Sequence, residues 1–164
     1  MPVPSADQVI PVVNRAMCHF DTIVFSRDWH ESDHCSFGMP PEFRDGSWPP
    51  HCVQDSPGAE FPGSMRVPLD ALLISKGETE ESYSAFGQTG LKEQLRAKRI
   101  TRIFIAGLAT DYCVRATAID GVRAGFDTWL VTDGCRGVSP ESTQAALAEM
   151  EAVGVHFCRS EDCE

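Results

Sequence analysis

The sequence predicts an α/β fold in which a parallel sheet carries helices on both faces, giving three layers. Short apolar strands alternate with helical segments along its 164 residues. These strands are apolar on both faces, as is typical of strands covered on both sides. Polar residues suited to chemistry follow several strands, and ligands of such sheets bind beyond the carboxyl ends of the strands. The length fits a single domain, residues 1–164.

The N-terminal part predicts one helix and one strand. Ser5 and Gln8 have the spacing of a capping box, in which Ser5 caps the helix and Gln8 reaches back to it. The apolar face of this helix continues to about Cys18. "DTIVFS" then predicts a strand that ends at Arg27.

A long loop and a second strand follow. Residues 31–70 hold seven of the eleven prolines, and a loop of this length in a compact domain is usually functional or disordered. "LDALLIS" predicts the second strand, which Lys76 and Gly77 follow. A short helix is expected over residues 89–99.

The C-terminal half predicts strands and helices in alternation. In order they are the strand "TRIFIAG", the helix "DYCVRATAIDGVRAG", the strand "DTWLVT", a turn "DGCRGVSP", a helix to about Val153 and the strand "VHFC". Ser139 is expected to cap the last helix, with Pro140 at its first position.

Composition excludes several classes of partner. The formal net charge is −10 and no basic stripe is present, so neither nucleic acid nor an anionic membrane surface is an expected partner. No apolar run approaches a membrane span, and the first residues lack the pattern of a signal peptide. The odd count of seven cysteines favours reduced thiols in the cytoplasm.

A metal site is one interpretation of the histidines. Asp28 and His30 lie two residues apart, so on an extended segment both point to one side. With His51 from the long loop they make a plausible site for zinc, iron or manganese, and His34 would be a fourth ligand or a partner of the ligands. The alternative is that these histidines merely pack a polar loop.

A cysteine nucleophile is a second interpretation. Cys113 begins a helix after the third strand. The helix N-terminus and a lysine such as Lys76 would favour its thiolate. Cys113 is therefore expected to be the most reactive of the seven cysteines. The alternatives are a buried inert cysteine and a solvated lysine. Other residues have equally plain interpretations from the sequence alone. Trp48 would be a loop anchor, Asp133 would be a turn or cap residue, and the segment Tyr83 to Phe86 would pack in the core.

Five motifs in order resemble those of one family. They are "DWHESDHCSF", "WPPHCVQDSPGAEF", "KG" followed by "YSAF", "GLATDYCVRATAIDG" and "TDGCRGVSP". Over about residues 5–157 the chain resembles the nicotinamidase/pyrazinamidase group of the isochorismatase-like hydrolases. The resemblance implies their fold and the hydrolysis of nicotinamide to nicotinate and ammonia, a step of NAD salvage and pyridine nucleotide biosynthesis. Pyrazinamide and related small aromatic amides would suit the same site, and a homo-oligomer stays open.

The resemblance also implies residue roles. Cys113 matches the nucleophile and Lys76 the lysine that helps to activate it. The amides of Ala109 and Cys113 match the oxyanion hole, beside a cis peptide expected between Leu108 and Ala109. Trp48 matches an aromatic wall against the substrate ring.

The same resemblance implies a divalent metal cofactor, zinc ahead of iron or manganese. Asp28, His30 and His51 match its ligands, and His34 stands where some members have a further one. The metal would hold the pyridine nitrogen of the substrate, directly or through water.

One departure from the family concerns the N-terminus. The family has a central strand there that ends in a motif like D-x-Q-x-D-F, whose aspartate is the general base, and neither Asp7 nor Asp21 matches it. One hypothesis is that the strand is encoded upstream and this chain is an N-terminally truncated record of an ordinary family member. The other is a degenerate member that binds a metal or ligand with little catalysis, or a hydrolase of another small amide.

Overall fold

The computed structural model describes residues 3–43, 47–78 and 82–163. The helices are α1 (Val9–Ala16), α2 (Leu91–Ala97), α3 (Arg115–Arg123) and α4 (Pro140–Ala152). The strands are β1 (Val24–Asp28), β2 (Leu72–Lys76), β3 (Arg102–Leu108), β4 (Asp127–Arg136) and β5 (His156–Cys158). None of the helices in the described ranges is both long and apolar enough to cross a bilayer.

All of these strands pair in parallel, which confirms the predicted fold class. β1 pairs with β2, and the pairing sets Asp28 beside Lys76 at the carboxyl ends of the two strands. β3, β4 and β5 form a second sheet in that order. Within the described part of the chain no pairing joins β1 to β3, so the parallel strands are divided between two sheets.

The main core lies between the second sheet and helices α3 and α4. Leu130 of β4 and Met150 of α4 are fully buried there, together with Ala118 of α3. Ile105 of β3 packs against the same cluster. This burial fixes α3 and α4 on one face of the sheet, where removing apolar area from water stabilises the fold by about 25 cal/mol per Å².

Helix α2 connects the two sheets. Its Leu91 and Leu95 are buried with Ile74 of β2, and Val24 of β1 and Ile103 of β3 pack against them. Helix α1 contacts β3 and β4 without contributing to either cluster, which places it on the other face. Helices therefore cover both faces, as the alternating pattern predicts.

The predicted capping box at the N-terminus is wrong. Ser5 has a φ of 56° and its side chain makes no capping hydrogen bond. The chain enters α1 through a 3₁₀ turn over Ala6–Gln8, and the Gln8 side-chain oxygen accepts instead from the Arg136 guanidinium, at 2.9 Å. Gln8 therefore binds Arg136 of β4 and does not complete the capping box, because the guanidinium is a charged donor.

The predicted turn at residues 133–140 is also wrong in its first half. β4 continues through Arg136, with a register shift between Ile105 and Gly107 on the neighbouring strand. Asp133 is accommodated in the strand because its carboxylate accepts from the backbone N–H and hydroxyl of Ser160, at 2.7 and 2.6 Å. Burial raises the pKa of Asp133, but these hydrogen bonds outweigh burial and lower it.

The start of α4 agrees with the sequence. Pro140 occupies the first helical turn, and the Ser139 hydroxyl accepts a hydrogen bond from the backbone N–H of Ser142, at 3.1 Å. Both residues therefore have the predicted roles, since a serine cap satisfies one of the free N–H groups of the first turn.

The long loop between β1 and β2 is ordered by isolated bridges in place of regular strands. His30 pairs with Val53 and Phe37 with Trp48. A short 3₁₀ turn covers Pro57–Ala59. These bridges return the middle of the loop to the carboxyl end of β1, which explains how a proline-rich segment can carry site residues.

Truncating the main core should destabilise the protein far more than truncating its surface. Met150→Ala removes a side chain with 0 % exposure, and we expect it to lower the free energy of unfolding by about 2–5 kcal/mol. Val153→Ala, at the exposed residue that directly follows the same helix, is the control and should change this free energy by only about 0.5 kcal/mol. Urea denaturation followed by circular dichroism measures both. Equal losses would contradict the assigned core.

Candidate active site

The site is organised around the buried side chain of Lys76. Its Nζ lies in contact with Oδ1 of Asp28 and donates to the backbone carbonyl of Ser82, at 3.2 Å. It also lies 3.3 Å from Sγ of Cys113. The side chain of Lys76 is only 3 % exposed, which excludes the alternative of a solvated loop lysine. The strand-end carboxylate thus compensates a buried ammonium, which alone would be costly.

Cys113 sits in a π-helical turn, Thr110–Val114, between β3 and α3. The peptide between Leu108 and Ala109 is cis, as expected from the resemblance. The Ala109 carbonyl accepts from the N–H groups of Tyr112 and Val114, both at 3.1 Å. These bonds shape the turn so that the thiol faces the lysine of the other sheet. The oxyanion hole at the amides of Ala109 and Cys113 stays a prediction.

The expected preference for the Cys113 thiolate is wrong. Burial raises the pKa of the thiol to about 11, and the negative charge of Asp28 also raises it. Lys76 lowers this pKa through its charge and its hydrogen bond, but by less. Sequence reasoning counted the lysine and the helix N-terminus without the burial, so the thiol is protonated at neutral pH.

The lysine itself stays charged. Burial alone would lower the pKa of Lys76, but the neighbouring Cys113 and Asp28 raise it above its ordinary value. A charged ammonium beside a protonated thiol is therefore the resting state of the pair, and Lys76 is available to stabilise a thiolate when one forms.

Three residues beside this pair form a possible metal-binding set. Donor atoms of Asp28, His30 and His51 all lie within 4.8 Å of one another. Nδ1 of His51 lies 2.8 Å from the Pro49 carbonyl, and Nδ1 of His30 contacts the carbonyl of Gly77. A carbonyl only accepts, so both Nδ1 atoms carry the hydrogen and both Nε2 atoms present lone pairs.

The pKa of His30 supports the same protonation state. Burial lowers it, and the neighbouring His34 and His51 lower it further, against the Gly77 carbonyl and Asp28, which raise it. His30 is thus a neutral imidazole near neutral pH, which is the form that binds metals. Two imidazole nitrogens and a carboxylate oxygen fit a divalent ion with open coordination positions.

His34 is close to this set but bonded differently. Its ring centroid lies 4.2 Å from that of His30, and the side chain is buried. The backbone N–H of Ser36 donates to Nδ1 of His34, at 3.2 Å. The hydrogen of a neutral ring is therefore on Nε2, a buried atom without a hydrogen-bond partner in the described ranges. This tautomer favours a donor over a metal ligand.

Trp48 is the loop anchor that the sequence predicts, and its role as a wall against the substrate ring stays a prediction. It is buried, its Nε1 donates to the Tyr83 hydroxyl at 3.1 Å, and its ring contacts the Tyr112 ring edge-on at 5.2 Å. The loop is therefore anchored through Trp48 beside the turn that carries Cys113. The prediction of core packing for the segment Tyr83 to Phe86 is confirmed at Ala85 and Phe86, whereas Tyr83 contacts Trp48 and the ring of Tyr112.

Sequence reasoning missed one residue of this neighbourhood. Asp111 is 5 % exposed, and its carboxylate accepts from the segment that leads into α4. It lies two residues before Cys113, within the motif "GLATDYCV". Its place in this motif could have drawn attention to it. Its hydrogen-bond partners, however, lie 27 or more residues further along the chain, so the sequence did not reveal its role.

Comparison with known proteins agrees with this architecture. Residues 2–162 match the family model described as Isochorismatase domain. A nicotinamidase of Acinetobacter baylyi is 37% identical over 174 residues, covering 93% of this chain and 81% of that protein. Two solved structures are similar. One is the pyrazinamidase of Pyrococcus horikoshii in complex with zinc, with a TM-score of 0.88, 43% identity and coverage of 96% and 88%. The other is an L. infantum protein in complex with nicotinate, with a TM-score of 0.84, 32% identity and coverage of 97% and 83%.

Metal content should depend on His51 and be insensitive to His34. We expect His51→Ala to lose most of the bound divalent metal, because it removes one of three donors, whereas His34→Ala retains it. His156→Ala, which removes an exposed histidine outside the site, is the matched control. Elemental analysis after dialysis against trace zinc measures all three variants. Equal metal in His51→Ala and the control would remove His51 from the site, and loss in His34→Ala would make it a ligand.

Alkylation should reveal the protonated state of Cys113. Near neutral pH the exposed thiols of Cys18 and Cys35 should react first, and Cys113 should react faster as the pH rises toward its pKa of about 11. Lys76→Met should slow the alkylation of Cys113 further at any given pH, because the ammonium lowers the thiol pKa and its removal raises that pKa. Brief alkylation followed by peptide mapping tests this. Rapid labelling of Cys113 at neutral pH would show that its pKa is low after all.

Proposed function

The chain belongs to the isochorismatase domain family, and we propose that it is an amidohydrolase that converts nicotinamide to nicotinate and ammonia. The observation that carries the proposal is the buried contact of Lys76 with both Asp28 and the thiol of Cys113, beside the cluster of imidazoles. The relatives named above act on or bind nicotinamide, pyrazinamide or nicotinate according to their descriptions, which supports an aromatic amide as substrate.

Cys113 is the nucleophile of this reaction. Its sulfur bonds to the carboxamide carbon, and the thiol proton goes to the departing nitrogen, which leaves as ammonia. Lys76, at 3.3 Å, stabilises the thiolate as it forms. Water then cleaves the thioester, which releases nicotinate and restores the thiol. The amides of Ala109 and Cys113 stabilise the oxyanion of the tetrahedral intermediates.

Asp28, His30 and His51 hold a divalent metal, with zinc the first choice. The donor set fits such an ion, since both imidazoles have unprotonated Nε2 atoms that could bind it and one carboxylate would add charge. When bound, the ion supplies a Lewis acid that can hold the pyridine nitrogen. Trp48, packed against Tyr112, forms a wall of the ring-binding site. His34 supplies a buried N–H.

One observation favours a second function, that of a metal- or ligand-binding member with little catalysis. The pKa of Cys113 is about 11, so a thiolate forms at neutral pH only against an appreciable free-energy cost. This cost has to be met during the reaction by a group that accepts the proton. Turnover and metal binding measured on the same preparation distinguish the two functions.

Ammonia release from nicotinamide tests the proposal. The folded, zinc-loaded protein should show turnover, Cys113→Ala should abolish it, and Lys76→Met should lower kcat/KM by about 10²–10⁴-fold because thiolate stabilisation is lost. Cys135→Ala, a buried cysteine away from Lys76, is the control for Cys113. Each variant is checked for a cooperative thermal transition.

Two outcomes would overturn parts of the proposal. Undiminished turnover by Cys113→Ala would remove the assigned nucleophile. No turnover by folded protein that binds zinc through His51 would select the second function. Comparison of nicotinamide with pyrazinamide and with an aliphatic amide then identifies the preferred amide.

A further inference from the structure

A buried carboxylate joins the turn that carries Cys113 to the start of α4. Oδ1 of Asp111 accepts from the backbone N–H of Val138 at 3.0 Å. Oδ2 accepts from the N–H of Ser139 at 3.5 Å and from the hydroxyl of Ser142. The side chain thus receives donors from the loop and from the first turn of the helix, on both of its oxygens.

The surroundings of this carboxylate leave it little freedom. A Cβ placed on Gly137 would lie 1.8 Å from Oγ1 of Thr143 and 3.2 Å from Oδ1 of Asp111, so the loop approaches as closely as a glycine permits. The Ser142 hydroxyl is also 2.7 Å from the Ser139 hydroxyl. The negative charge at the N-terminus of α4, a 13-residue helix, is favoured by the helix dipole.

We propose that Asp111 is a positioning residue for the nucleophile: it holds the Thr110–Val114 turn against α4 so that the sulfur of Cys113 stays in contact with Lys76. This inference rests on the proposed function for its catalytic consequence, but the contact itself is structural. Lys76 belongs to one sheet and the turn follows the other. The distance from Lys76 to Cys113 therefore depends on the contacts that hold the turn against α4. Asp111 supplies that support through charge-assisted hydrogen bonds.

Asp111→Asn is the principal test. The asparagine keeps the size of the side chain and one accepting oxygen, but its NH2 group replaces the other oxygen, so with Val138 still paired the N–H of Ser139 faces a donor and loses its acceptor. We expect kcat to fall by about 10²-fold, since misplacement of a reacting group by about 1 Å has that effect. KM should stay nearly constant, because the ring-binding residues lie elsewhere. Asp120→Asn, which removes a surface carboxylate of α3, is the matched control.

A second readout needs no turnover. In the wild-type background Lys76→Met slows alkylation of Cys113 at fixed alkaline pH. If Asp111 holds the thiol against the lysine, the same substitution has much less effect in the Asp111→Asn background. This double-mutant cycle measures the coupling of the two side chains.

A milder pair of variants guards against misfolding of Asp111→Asn. Ser142→Ala removes only the hydroxyl donor to Asp111. It should lower kcat by several-fold, and it should reduce by several-fold the extent to which Lys76→Met slows alkylation of Cys113, in line with loss of one hydrogen bond to a charged group. Ser142→Thr keeps the hydroxyl and should restore both.

The outcomes separate positioning from capping of α4. Loss of coupling in the cycle supports the proposal even if nicotinamide is not hydrolysed, so failure of the proposed function is distinguishable. A lowered melting temperature with unchanged kcat and full Lys76 dependence, in folded Asp111→Asn or in Ser142→Ala, would show that Asp111 only caps the helix and would overturn the proposal.

Discussion

A single buried ammonium, that of Lys76, sets the requirements for much of the molecule. Removing a charge from water costs several kcal/mol unless partners compensate it. Asp28 lies beside it because β1 and β2 pair in a register that ends both strands together. The carbonyl of Ser82 supplies a further acceptor. The ends of two strands, the segment after β2 and the turn after β3 must therefore converge, and the site is where they do.

The carboxylate of Asp28 serves two neighbours at once. It contacts Lys76 and belongs to the donor set with His30 and His51. Its charge also raises the pKa of the Cys113 and Cys52 thiols, in both cases after the larger effect of burial. The electrostatics of the Cys113 thiol and of the histidine cluster are thus coupled through one side chain, so a substitution of Asp28 alters both and cannot report on either alone.

Much of the site was predictable because its residues follow strands. The alternation of elements located Lys76 and Cys113 at one edge, and the spacing of Asp28 and His30 located the donors. What sequence could not provide were effects that depend on burial or on distant partners. The pKa of Cys113 follows from burial, the tautomer of His34 from the Ser36 N–H, and the extension of β4 from the hydrogen bonds that Ser160 makes to its aspartate.

The division of the strands into two sheets has a mechanical consequence. The sulfur of Cys113 lies in the turn that follows β3 of one sheet, and the ammonium of Lys76 lies at the end of β2 in the other, with α2 packed across both. Hydrogen bonds resist distortion within each sheet, whereas apolar contacts are non-directional and permit sliding. A small rotation of one half against the other changes the distance from Nζ to Sγ while leaving both ladders whole. The distance from Nζ to Sγ therefore depends on side-chain packing between the two sheets, and no backbone ladder among the described residues fixes it.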